Sequence, residues 1–437
     1  MSSRTSGSSA EPALSPYRWV VLFACWMSFT LTSVDRSTWG PASVFVGDSL
    51  AVPVASLGAF ATAYYIGYVI SNALGGIATD RLGGRLMLSI SLFGAGALMT
   101  VFGSTTSATV GIAVQALVGL FAGADYSAGI RLVTSWFPAS KLGLPLGIFV
   151  TATSLGTAIA NSVVPALIAW HGWGTSYHLF GVLSMVLAVV LLFLLRPGPM
   201  LDAVGAGAGA AAQETRPSAA PAPAPTGLSS MARNRNFVLT CLAGFGGFWG
   251  LYGFVTWANA LMIKGHAISP GTAGAVVAIF AVTAVAVKPV VGFVTDRFFG
   301  GARRLPASCI LALFAVTLVA FGNLGTATAF LWLAPLLGAA AYGWTPLLVA
   351  LVPRLVSGAV TGSASGFANA VWQLGSVIVP LAVGAAYSAS GSFAVGFLTL
   401  AAGPALGAVI MLAVRESRTP HRDTAAAPTT LGSVTPG

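Results

Sequence analysis

Residues 76–85 read Gly-Ile-Ala-Thr-Asp-Arg-Leu-Gly-Gly-Arg, and residues 292–304 read Gly-Phe-Val-Thr-Asp-Arg-Phe-Phe-Gly-Gly-Ala-Arg-Arg. Their aspartates, Asp80 and Asp296, are 296 − 80 = 216 residues apart, about half of the 437-residue chain. Each block follows a long apolar run and precedes another, so each reads as a charged turn between two membrane helices. A second pair keeps the offset: Trp136-Phe-Pro138 and Val352-Pro353-Arg354, each followed by a Gly-rich helix. Duplication of a half-length unit accounts for both coincidences, and repeats of this kind are common in membrane transporters.

Working outward from these turns, the apolar runs lie near residues 18–46, 54–78, 84–104, 106–136, 141–169 and 175–196. A second set follows near 236–263, 270–295, 304–324, 326–352, 358–387 and 391–415. The chain is 56% hydrophobic and 7% charged, against roughly a quarter charged in a soluble domain. Runs this long exclude a β-barrel, whose strands alternate polar and apolar residues. The expected fold class is an all-α membrane protein with twelve transmembrane helices in two six-helix pseudo-symmetric halves, residues 18–196 and 236–416. Residues 197–235, rich in Ala, Gly and Pro, read as a flexible linker. Residues 1–17 and 417–437 read as disordered tails.

The formal charge is +10, from 20 Lys and Arg against 10 Asp and Glu. With the N-terminus in the cytoplasm, sixteen of the cations fall on the inner side with Arg131 beside them, and only Lys264 falls outside. The basic excess is thus a topology signal rather than a nucleic-acid footprint, and it places both termini in the cytoplasm. Arg36 and Lys288 remain as cations within the membrane. Cys25, Cys241 and Cys309 lack paired spacing, and no cluster has metal-ligand spacing, so neither a metal nor a cofactor is expected. There is no phosphate-binding loop and no nucleophile beside a base, which argues against an enzyme or a nucleotide-driven pump. Residues 1–16 lack the short apolar core of a removable signal peptide. Arg outnumbers Lys 17 to 3 amid abundant Ala and Gly, which suggests a bacterial source and an inner membrane.

The G-x-x-x-D-R-x-G-x-R turn at 76–85, with its looser copy at 292–304, resembles the signature loop of the major facilitator superfamily. The resemblance covers about residues 17–416. Asp35-Arg36, Tyr64-x-Ile66-Gly67 and Arg131-Leu-Val-Thr-Ser-Trp136-Phe137-Pro138 further resemble the anion:cation symporter branch, whose members typically move small organic anions with protons. The resemblance implies secondary transport by alternating access, with lipid, protons and a small organic anion as partners, and a monomer. It assigns Arg36 to the substrate anion and Asp35 to the proton. The branch usually carries an Arg and, seven residues on, a Glu in the fourth span; here those positions hold Gln115 and Ala122. Asp125 stands nearby as a replacement acid.

The residues themselves support these assignments. Charges at membrane depth cost at least about 2.5–3.5 kcal/mol on insertion scales and therefore face a bundle interior or a cavity. Arginine stays charged and offers a planar fork to a carboxylate. Asp125 is read as a second protonation site, a cytoplasmic gate or a helix cap. Lys288 is read either as a second positive group in the substrate site or as a side chain snorkelling to the surface. Tyr64 joins the substrate-binding set through its local motif; Asn369 and Gln373, four apart, share one helix face expected to point inward. Asp80, Arg81, Gly83 and Arg85, with Arg131 and with Asp296, Arg297 and Arg303, are expected to gate: the acid would meet a partner helix or Arg131, and that contact would break when the cytoplasmic side opens. A uniporter, an exchanger, an effluxer of another small solute or a transporter-like sensor stay open as alternatives.

Overall fold

The structure is a computed structural model that describes residues 15–138, 142–199, 233–356 and 361–415. Lys141, most of the 197–235 linker, the tail before Ser15 and the tail after Arg415 lie outside the described residues. Among those described are thirteen α-helices and no strand. The first half holds α1 (Tyr17–Ser37), α2 (Trp39–Ser49), α3 (Gly58–Leu82), α4 (Gly84–Gly103), α5 (Ala108–Trp136), α6 (Gly143–His171) and α7 (Trp173–Leu194). The second holds α8 (Arg235–Ala260), α9 (Pro270–Phe298), α10 (Arg304–Gly322), α11 (Ala327–Leu351), α12 (Thr361–Ser390) and α13 (Phe393–Ala413). Eleven spans are long and apolar enough to cross a membrane, and α1 with α2 supplies the twelfth crossing of the fold.

The expected continuous run 18–46 is divided at Thr38. Pro41 has no N–H to offer the Ser37 carbonyl, so one rung of the ladder is lost. The Thr38 hydroxyl meanwhile donates back to Val34 O at 2.8 Å, a bond that bends helices. At the start of the expected 197–235 linker, Gly198 N–H donates to Ser135 Oγ at 3.2 Å, and just before it Trp136 Nε1 donates to Arg196 O at 3.0 Å. At its other end, the Asn234 side chain caps α8 by accepting from Phe237 N.

The end of the bundle carrying Tyr17 and Ala413 is here the terminal end, and the opposite end is the distal end. The halves meet chiefly along α3 with α12 and α6 with α9. Contacts between them gather at the distal end. A Cβ at Gly58 would fall 2.1 Å from Pro380 O; one at Gly274 would fall 2.1 Å from Asn161 O; and one at Gly384, 2.2 Å from Ala55 O. Only glycine permits backbones to approach so closely, as is usual where helices pack within lipid. Thr62 Oγ1 donates across the same seam to Val377 O at 2.8 Å. Towards the terminal end, Gly76, Gly292 and Gly366 meet nothing within 4 Å. Each lies 18 residues, five whole turns, from Gly58, Gly274 and Gly384 and so on the same helix face. The bundle is closed at its distal end and open at its terminal end.

Candidate functional site

Arg36 occupies the last turn of α1, half-buried. Its guanidinium carbon is 5.8 Å from the ring of Tyr68 on α3 and 5.6 Å from the ring of Tyr252 on α8. Tyr65 meets Tyr252 edge-on at 5.3 Å, and Tyr64 contacts both Tyr65 and Tyr68. Tyrosines at i, i+1 and i+4 on α3 thus wrap the cation from the first half while Tyr252 covers it from the second. A narrow cavity of about 10 Å³ adjoins, lined by Arg36, Trp39, Tyr64, Tyr65, Gln115 and Thr256 among others. That is room for about one water. Trp39 Nε1 and Tyr64 Oη are buried there without a hydrogen-bond partner among the described residues. The residues that line the cavity thus include a permanent cation and two side chains whose buried donors have no partner among the described residues.

Asp35 turns away from Arg36. Its Oδ2 accepts from Ser184 Oγ of α7 at 3.3 Å, while Oδ1 is buried without a partner. Asp125 on α5 is fully buried. Its carboxylate accepts from Ser28 Oγ at 2.6 Å and Thr32 Oγ1 at 3.2 Å. Ser28, Thr32 and Asp35 stand at i, i+4 and i+7 on one face of α1. Both aspartates thus lie along a single hydroxyl-lined flank inside the first half, about 10 Å apart along α1, and Arg36 takes the adjacent face towards the second half.

Lys288 does not reach out to the surface charges. Its Nζ lies 5.2 Å over the ring of Tyr342 on α11, and α11 reaches Tyr252 through Trp344 and Phe248, whose rings are 5.6 Å apart, with Phe248 5.1 Å from Tyr252. Gln373 is buried and accepts from Ser376 Oγ at 3.2 Å; Asn369 is half-buried. Neither lines the cavity beside Arg36. Sequence reasoning missed Tyr65, Tyr342, Trp39 and Asn161. Three tyrosines within Tyr64–Tyr68 were the signal for the first. Asn161 Oδ1 accepts from Asn259 Nδ2 at 3.0 Å across the two halves, an amide pair marked by two polar residues in apolar runs.

At the terminal end, Asp80 pairs with Arg131, and Asp296 pairs with Arg303 at 2.6 Å. Gly83, at φ 82°, makes the tight α3–α4 turn, a conformation glycine adopts without strain. Arg81, Arg85 and Arg297 are exposed. The Asp80–Arg131 pair is made while the terminal end is open. Asp80 and Arg131 both belong to the first half, so separating the halves leaves them together. Among the described residues, the ion pair that joins the halves is distal, Lys264 Nζ to Asp48 Oδ2 at 2.8 Å. A π-helical turn at Leu261–Gly265 carries Lys264.

Two six-helix halves packed about a buried charge cluster define a multi-pass membrane transporter. A model of the Major Facilitator Superfamily matches residues 25–267 and 254–436, and the chain belongs to that family. It is a transporter rather than an enzyme. The chain is 24% identical over 394 residues to the hexuronate transporter of Bacillus subtilis (strain 168), covering 87% of this chain and 90% of that one. It is 28% identical over 360 residues to the "Probable nitrate/nitrite transporter NarK2" of Mycobacterium tuberculosis, covering 76% and 82%. Among solved structures, a bacterial homolog of the human lysosomal transporter Spinster, inward-facing and occupied, aligns with a TM-score of 0.71 at 14% identity, covering 92% and 96%. The family expected from the Asp80 and Asp296 turns is the family matched, and the relatives agree with its anion:cation symporter branch.

Proposed function

We propose that this transporter takes up a small organic anion, a carboxylate, together with protons, by alternating access around Arg36. The observation that carries the reading is a permanent cation between the halves that faces the rings of Tyr68 and Tyr252 in place of a carboxylate. A carboxylate is the ligand best matched to an arginine fork, and the relatives named for hexuronate and nitrate both handle anions. Arg36 and Tyr64 hold the substrate, with Lys288, Asn369 and Gln373 contributing from the second half. Asp35 and Asp125, both buried at membrane depth, take up and release the coupling protons. The terminal end faces the cytoplasm of a bacterial inner membrane, and the protein works as a monomer.

Reconstituted vesicles test this directly. Carboxylate uptake is expected to exceed its concentration gradient only when a proton gradient is imposed. Arg36→Gln is expected to abolish binding and uptake. Asp125→Asn is expected to abolish proton-driven accumulation while leaving substrate counterflow intact. Unchanged accumulation by Asp125→Asn would remove that residue from coupling, and uptake indifferent to the proton gradient would make the protein a uniporter or exchanger.

A further inference from the structure

Among the described residues, Lys288 is a cation at membrane depth with no carboxylate to balance it. The described residues contain five carboxylates: Asp35, Asp48, Asp80, Asp125 and Asp296. Asp48, Asp80 and Asp296 are in ion pairs with Lys264, Arg131 and Arg303. Asp35 and Asp125 are turned into the first half, towards hydroxyls of α1 and α7. What Lys288 has is the face of Tyr342, 5.2 Å from its Nζ, a contact that holds an ammonium in place without neutralising it. Tyr342 belongs to the same aromatic network as Arg36: Tyr252 meets Phe248 at 5.1 Å, and Phe248 meets Trp344, two residues from Tyr342 on α11, at 5.6 Å. One aromatic cluster therefore has an uncompensated cation on each side: Arg36 from the first half and Lys288 from the second. A monoanion neutralises one of them and leaves the other bare in a low-dielectric interior.

We infer that Lys288 is the second charge of the substrate site and that the preferred substrate class is a small dicarboxylate, one carboxylate on Arg36 and the other on Lys288. This deepens the anion reading above and rests on it. Because the two cations belong to different halves, a dianion engages both at once, whereas a monocarboxylate engages one. Pro289, immediately after Lys288, removes the helix rung to Val285 O, which leaves the backbone at this point free to bend and adjust the reach of the ammonium. Gly292, one turn from Lys288 towards the open terminal end, meets nothing within 4 Å.

The test uses the purified full chain and matched pairs of acids that differ by one carboxylate, such as butyrate with succinate and gluconate with glucarate, extended to other chain lengths and to aromatic pairs. Binding is read by competition and by ligand-induced thermal stabilisation. The wild type is expected to bind the better dicarboxylates at least about tenfold tighter than their monocarboxylate mates. Lys288→Gln is expected to lose roughly 30-fold or more on the dicarboxylate, the range for truncating one member of a buried charge pair, and so to erase its margin over the monocarboxylate. Lys288→Arg is expected to keep the preference, which separates charge from folding, and Arg36→Gln to lose both classes. If monocarboxylates bind and dicarboxylates bind no better, or if the margin survives in Lys288→Gln, the inference falls while the anion reading stands. If no carboxylate of either class binds, both fall.

Discussion

The two ends of the same helices differ more than the two halves of the molecule do. At the distal end of α3, Gly58 is pressed onto α12; at its terminal end, Gly76 on the same face meets nothing. The second half repeats the contrast on α9, with Gly274 against Asn161 O and Gly292 in open space, at the 216-residue offset of the Asp80 and Asp296 turns. Ion pairing follows the same division. The distal pair, Asp48 with Lys264, joins the halves, whereas the terminal pairs, Asp80 with Arg131 and Asp296 with Arg303, stay within one half each. A device that rocks has to keep each half intact while breaking contacts between them. Pairs inside a half are expected to persist through such a motion, and pairs and glycine seams between halves are expected to alternate.

The largest test of this contrast is to fill the two glycine positions on α3. A side chain at Gly58 would collide with the backbone of Pro380, which has no rotamer to move aside. Gly58→Leu is expected to oppose distal closure at the upper end of the roughly 1–3 kcal/mol typical of overpacking, about 100-fold in the ratio of closed to open. Gly76→Leu leaves the present conformation unstrained and obstructs closure of the terminal end. Both are expected to stop transport, but in opposite states. Labelling of Thr62→Cys at the distal seam and Asn72→Cys nearer the terminal end, in a chain with Cys25, Cys241 and Cys309 replaced, reads the difference. The same labelling pattern in both variants would show that the two ends are not alternates.

That contrast also explains which features could be read from residues alone. Charge is scarce in this chain, so the Asp80 and Asp296 turns and the lone intramembrane Arg36 stand out against aliphatic sequence and carry fold and family. Tyrosine carries less information: Tyr65 and Tyr342 are as compatible with an interfacial belt as with a cavity wall, and only helix phase and the approach of α8 to α3 decide it. The division at Thr38 follows from Pro41, yet the apolar run continues through it and hides the break. The Asp80–Arg131 contact was accessible from spacing, but when it breaks depends on which end of the bundle is open.

Removing the pair between the halves gives a smaller effect than filling a glycine seam. Asp48 and Lys264 are well exposed, with side-chain exposures of 61% and 36%, and such pairs contribute about 0–1 kcal/mol. Asp48→Asn is expected to shift the balance away from distal closure by up to about fivefold, seen as faster labelling of Thr62→Cys. High salt should reproduce the shift in the wild type and leave it unchanged in the variant. Lys264→Gln should match Asp48→Asn, and the double variant should add little to either, as expected for two residues acting through one contact.

The smallest shift between end states is expected from Asp80→Asn. Asp80 and Arg131 are both in the first half, and their pair is made with the terminal end open, so losing it removes the same contact from either state. Labelling at the two reporter positions should then stay within about twofold of wild type. The effect is expected in rate instead. The pair joins the terminal ends of α3 and α5, and loosened ends dock less readily when the halves come together. A surface pair of this strength supports a rate loss of up to about fivefold, with substrate affinity unchanged. An equilibrium shift as large as that of Asp48→Asn would place Asp80 among the contacts that alternate and erase the distinction between pairs within a half and pairs between halves. An unchanged rate would remove it from gating altogether.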